Sequence, residues 1–125
     1  MLQTYENLCA YIESKPGCTK DMPFDFDTLV FRVGGKIFVL MSWQDDPVTI
    51  NLKCDPEKAL RWRSFFPAVT PGYHMNHKHW NTIVCDGSVA DSALMEMITD
   101  SYNLVYSGLS RAEKEKLKAG FADAK

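Results

Sequence analysis

All three histidines of the chain, His74, His77 and His79, fall within six consecutive positions. The surrounding run from Thr70 to Trp80 adds a Pro-Gly pair, Tyr73, Asn76, Lys78 and Trp80. Side chains of these types hydrogen-bond, stack on rings or ligate metals. Metal ligation is the first chemistry to weigh, because imidazole is a common ligand. The spacing opposes it. On a strand His77 and His79 share a face while His74 points away; on a helix His74 and His77 pair instead. No fourth ligand stands at a diagnostic spacing, and Cys85 is the only nearby thiol. Neither a metal nor a cofactor is expected.

Covalent catalysis fares little better. The chain has no Gly-x-Ser-x-Gly and no His-Glu-x-x-His. A thiol–imidazole pair would need Cys54 or Cys85 to meet a histidine in space. Glycine-rich phosphate loops are absent too, since Gly34-Gly35 has no helix behind it. A non-enzymatic protein is expected, with no catalytic residues.

Charge is distributed more tellingly than the net of −2 suggests. Residues 1–30 sum to −3, 31–50 to zero, 51–80 to +3, 81–110 to −4 and the remainder to +2. The basic block contains the histidine run, so a local anionic partner fits there. Lys53, Arg61, Arg63 and Lys78 could engage phosphates, while His74, Asn76, His79 and Trp80 could hydrogen-bond or stack on bases. The bland alternative gives the cations to solvated helix and strand faces, and makes Tyr73 and Trp80 core aromatics with polar tips.

The elements that must hold these residues read as follows. Residues 2–14 form a helix with Leu2, Tyr5, Leu8, Cys9 and Ile12 on one face, ended by Lys15-Pro16-Gly17. Residues 18–27 read as irregular. Thr28–Val33 and Lys36–Ser42 flank Gly34-Gly35 as a hairpin. Its expected register sets Phe31 against Phe38 and Leu29 against Leu40 on the core side, with Val30, Ile37 and Val39 on an open side. Val48–Lys53 alternates as a half-buried strand. Asp55-Pro56-Glu57 opens a helix through Phe66. Strands follow at Ala68–Tyr73 and Trp80–Cys85. A long helix capped by Asp91 buries Leu94, Met97, Ile98, Ser101, Leu104 and Val105. A short charged helix, Arg111–Lys118, leads into a frayed tail from a region starting near 109.

The sum is one α+β domain over 1–125, a two-layer sandwich. Its antiparallel sheet has about five strands with helices on one face, in the order α-β-β-β-α-β-β-α. No apolar run approaches the roughly 20 residues of a membrane span, so no membrane partner is expected. The first residues lack a basic start and a long apolar core, and the four cysteines are scattered. A cytoplasmic location with free thiols is expected.

The run Thr70-Pro71-Gly72-Tyr73-His74-Met75-Asn76-x-x-His79-Trp80, followed by Asp86-Gly87-Ser88-x-x-Asp91, resembles the MmcQ/YjbR family. Lys15-Pro16-Gly17 and Leu52-Lys53 fit it as well, so the resemblance spans nearly the whole chain. Ala90 departs from it, standing where the family usually has proline. The resemblance implies a fold similar to secretion chaperones and frataxin-like proteins. It also implies DNA binding through a double wing, for which Val33-Gly34-Gly35-Lys36 is one available tip, flanked by Arg32 and Lys36. With a net charge of −2, duplex DNA would be bound weakly and salt-sensitively. Two alternatives remain: a homodimerising or protein-interaction module using the open sheet face, and a small-ligand site around His74, His79 and Trp80.

Overall fold

The computed structural model describes residues 2–72 and 76–123, the last four by backbone alone. Ten elements follow in order: α1 (Tyr5–Glu13), β1 (Thr19–Asp21), β2 (Thr28–Val33), β3 (Lys36–Ser42), β4 (Thr49–Lys53), α2 (Pro56–Phe65), β5 (Val69–Pro71), β6 (Trp80–Val84), α3 (Asp91–Ser107) and α4 (Arg111–Asp123). The strands make one antiparallel sheet in the order β1-β2-β3-β4-β6-β5. The α+β architecture is as expected. It gains a sixth strand, because Thr19–Asp21 pairs with Val30–Arg32 at the sheet edge. All three β1 residues are exposed, so the strand is built by backbone pairing and by the surface ion pairs of Lys20 with Glu13 and Asp21 with Arg32, not by apolar burial. The last helix also runs further than expected, to Asp123.

The β2–β3 hairpin closes through Gly34 and Gly35, both in the left-handed region at φ 58° and 79°, which glycine adopts without a Cβ penalty. A side chain at Gly34 would also meet Leu109, whose Cδ1 lies 2.6 Å from where its Cβ would stand. Val33 faces Lys36 and Arg32 faces Ile37 as anticipated, but the register then slips. Phe31 faces Val39, Val30 faces Leu40 and Leu29 faces Met41. Phe38 is the extra residue of a β-bulge. The slip turns Val39 into the core and puts Leu40 on the open side.

The core lies between one sheet face and the helices. Leu29, Phe31, Val33, Phe38, Val39, Met41, Ile50, Leu52 and Ile83 meet Leu8, Cys9 and Ile12 of α1 and Leu94, Met97, Ile98 and Val105 of α3. On α3 the buried stripe takes Tyr102, while Leu104 stays partly exposed. Tyr102 packs edge-on against Phe38 at 5.3 Å, and its hydroxyl donates to Pro16 O at 2.5 Å. The N-cap of α3 is Ala90, with Asp91 as the first helical residue.

The far sheet face differs from the expected apolar surface. Val30 and Val39 have no exposure at all, and Ile37 is half-buried. The centre of that face carries the row Val30, Leu40, Asn51, Thr82, Thr70, with Thr82 Oγ1 and Asn51 Oδ1 2.5 Å apart. Two hairpin tips leave the same edge of the sheet. The tip at Gly34-Gly35 and the β5–β6 connection both flank the end of β4 at Lys53, since Lys53 pairs with Trp80 and Leu52 with Val39.

Candidate nucleic-acid interface

Helix α2 positions one wall of the site. Asp55 caps it, its Oδ2 accepting from the backbone N–H of Glu57 and Lys58 at 3.2 and 3.3 Å. Trp62 and Phe66 stack with ring centroids 5.9 Å apart and pack against the core. Between them Arg63 turns to the β5–β6 connection. Its Nε donates to Asn81 Oδ1 at 2.6 Å, and its Nη2 donates to the carbonyls of His77 and, at 3.3 Å, Trp80. Asn81 is buried and donates in turn to Ala59 O of α2 at 3.3 Å. Arg63 therefore clamps helix, strand and loop together.

The connection is closed by its own backbone. Gly72 N–H donates to Trp80 O at 2.9 Å. Asn76 O accepts from His79 and Trp80 N–H, and Asn76 Oδ1 accepts from Lys78 N–H at 2.9 Å. This is the side-chain turn at which asparagine excels. His79 O accepts from Cys54 N–H at 2.7 Å, which docks the loop on the end of β4. A Cβ at Gly72 would lie 2.8 Å from Trp80 Cβ and 3.1 Å from its carbonyl oxygen. Gly72→Ala should therefore force the loop off β6 and cost about 1–2 kcal/mol, read as a lowered urea midpoint with an unchanged slope.

Most of the residues singled out in the sequence converge here. Lys53 and Trp80 are cross-strand neighbours on the open face, both half-buried. Asn76 and Lys78 are exposed, as is His77, and His79 is half-buried. Arg61 is the exception. It lies on the helix layer near Glu57 (3.9 Å), with its side chain 74% exposed, beside Trp62, Phe65 and Glu96. His74 and Tyr73 lie outside the described residues. At the other tip Lys36 is exposed. Arg32 is engaged with Asp21 Oδ1 at 3.3 Å and Gly35 O at 3.2 Å. His77 was not among the sequence candidates, although its place in the histidine run was the signal for it.

Thiol chemistry finds no support at Cys54, which lies at this corner, or at Cys85, at the other end of the strands. Burial, then the Asp100 carboxylate, pushes the Cys54 thiol up to about 11. Burial, then Asp86, pushes Cys85 up to about 12. A nucleophilic cysteine needs the opposite shift. Among the described residues no group of three His, Cys, Asp or Glu side chains could hold a metal ion. Also among them, no helix is long and apolar enough to cross a membrane.

A helix-backed antiparallel sheet with two hairpin tips on one edge defines a class of small α+β domains. Within that class the chain belongs to the YjbR family, whose model matches residues 13–104. It is 40% identical to the uncharacterized protein YbdF of Escherichia coli O157:H7 over 98 residues, 78% of this chain and 80% of the other. It is 30% identical to the uncharacterized protein YjbR of Escherichia coli K12 over 114 residues, 91% of this chain and 96% of the other. The Deinococcus radiodurans protein DR2400, a DUF419 domain, has a similar crystal structure. It superposes with a TM-score of 0.88 at 36% identity, covering 94% of this chain and 89% of that one.

Proposed function

We propose that this YjbR-family chain is a DNA-binding protein that grips the duplex backbone with the two hairpin tips of one sheet edge. The observation that carries the reading is the placement of Lys36 at one tip and Lys78 at the other, with Lys53 between them. Three strand spacings of about 4.8 Å separate the tips, roughly 14 Å. That is close to the roughly 12 Å major groove, so each tip can reach one of the phosphate strands bordering it. His77 and His79 add donors, and Trp80 adds an aromatic wall beside Lys53. Arg63 contributes by holding the loop rather than by contacting phosphate, because its guanidinium is already engaged.

The open sheet face supports a homodimer less well. Its central row is Thr- and Asn-rich, and Val30 and Val39 have no surface to offer.

The test is fluorescence anisotropy on a labelled duplex. With three lysines engaged, log K should fall against log salt with a slope of about −2.7. Lys78→Gln should weaken binding uniformly across sequences and reduce that slope by about 0.9. Absence of binding tighter than about millimolar at low salt, or a flat salt response, rejects the reading.

A further inference from the structure

The edge opposite the hairpin tips has the reverse chemistry. It is built from the N-terminus of α1, the β1–β2 loop, the β3–β4 loop, the α2–β5 connection and the β6–α3 loop. Residues 2–5, 22–28, 42–49, 66–68 and 84–94 contain Asp25, Asp27, Asp45, Asp46, Asp86 and Asp91 and not one Lys, Arg or His. These segments are far apart in the chain, and the antiparallel topology brings them to one end of the sheet.

This edge also carries aromatic surface. Phe24 is 67% and Phe26 83% exposed. Tyr5 and Trp43 form a tilted ring pair 5.5 Å apart. With Asp45, Asp46 and Asp86 they line an open cavity of about 460 Å³. The walls are held from a distance. Gln3 Nε2 donates to Val89 O and Asp91 Oδ1 at 2.7 and 2.9 Å, and its Oε1 accepts from Gly87 N–H at 3.0 Å. Trp43 Nε1 donates to Phe26 O at 2.9 Å. Asp86 accepts from Ser88 N–H and Oγ, which holds its carboxyl below the usual carboxylate range. A rigid surface of carboxylates and ring faces selects for ammonium groups.

We propose that this acidic, aromatic edge docks a second copy of the chain by its basic edge, giving head-to-tail association along the strand direction. The argument is charge complementarity within one molecule. The edge that presents Lys36, Lys53 and Lys78 lies at the opposite end of the same strands from the edge that presents the six aspartates. Lysines of the incoming copy enter the Tyr5–Trp43 cavity, where their stems cover the rings and their ammonium groups meet Asp45, Asp46 and Asp86. Such a contact is heterologous, joining two different patches, so it builds chains or rings rather than a closed symmetric pair. It uses the same lysines as the proposed DNA site, so duplex DNA and the second copy compete.

Sedimentation velocity without nucleic acid tests this apart from the DNA reading. The wild-type coefficient should rise with concentration at about 10 mM salt and stay monomeric at about 1 M, where the screening length falls from about 30 Å to 3 Å. The acidic-edge variant Asp45→Asn with Asp46→Asn, and the basic-edge variant Lys53→Gln with Lys78→Gln, should each lose association. Mixed in equal amounts they should form a heterodimer and nothing larger, because each keeps one intact edge. Circular dichroism establishes that both variants are folded. A wild type that is monomeric at every concentration in low salt overturns the proposal, as does association that either variant retains. Failure of the mixture to pair overturns it equally, and would leave the acidic edge to a different basic partner.

Discussion

Ser101→Ala is expected to cost about 3 kcal/mol, since it strands two backbone groups at once, one buried and one partly buried. Ser101 has no exposed surface. Its hydroxyl donates to Phe38 O at 2.6 Å and accepts from Lys53 N–H at 2.9 Å. Phe38 is the bulged residue of β3, and Lys53 is the β4 residue just beyond the last β3–β4 pair, Val39 with Leu52. The serine of α3 thus completes the sheet ladder where the bulge ends it. Alanine fits the space but offers neither donor nor acceptor. Leaving a buried polar group unpaired costs about 1–3 kcal/mol, and here one buried and one partly buried group are left. Against a total stability of roughly 5–15 kcal/mol, the loss should lower Tm by roughly 10 °C. Thermal melts monitored by far-ultraviolet circular dichroism read it directly. A change of less than about 1 kcal/mol would mean that the two groups find other partners.

The burial of that serine was legible in the helical stripe, but its two backbone partners were not. The strand alternation at Thr49, Asn51 and Lys53 and the Asp55-Pro56 helix start were legible, because each contrasts apolar with polar or carries its own cap chemistry. The bulge was not. Ile37, Phe38, Val39, Leu40 and Met41 are all apolar, so a period of two has no contrast with which to fix the register. The edge strand Thr19–Asp21 was hidden for a related reason: with all three residues exposed it has no buried face to betray it. On α3, Tyr102 displaced Leu104 from the core stripe because its ring meets Phe38 and its hydroxyl reaches Pro16 O. Neither partner is near in sequence.

The candidate site was legible as residue types but not as roles. The cluster of Lys53, Asn76, Lys78, His79 and Trp80 at one corner followed from the basic block and the histidine run. The acidic edge did not, because its aspartates come from stretches whose local charge sums are −3, zero and −4. Only the antiparallel topology puts them side by side, and with them the polarity of the molecule from one strand end to the other.

Arg63 is the residue whose role changed most, and its substitution is the second large effect expected. From the sequence it is a cation in a basic block, suited to phosphate. In the fold its guanidinium spans three acceptors: Asn81 Oδ1 and the carbonyls of His77 and Trp80. Arg63→Met keeps much of the stem packing and removes all three donations. The buried Asn81 oxygen is left facing an apolar side chain, so a loss of about 2–3 kcal/mol in urea denaturation is expected. Arg63→Lys should recover little of it, because a single ammonium cannot reproduce the planar fork that meets acceptors in different directions. The two substitutions also separate clamp from phosphate ligand. A ligand's loss would leave stability unchanged and weaken DNA in proportion to charge, with lysine restoring binding. A clamp's loss lowers stability for both variants and speeds hydrogen exchange at the Gly72 and Trp80 amides, whose bonds close the loop, with no DNA present.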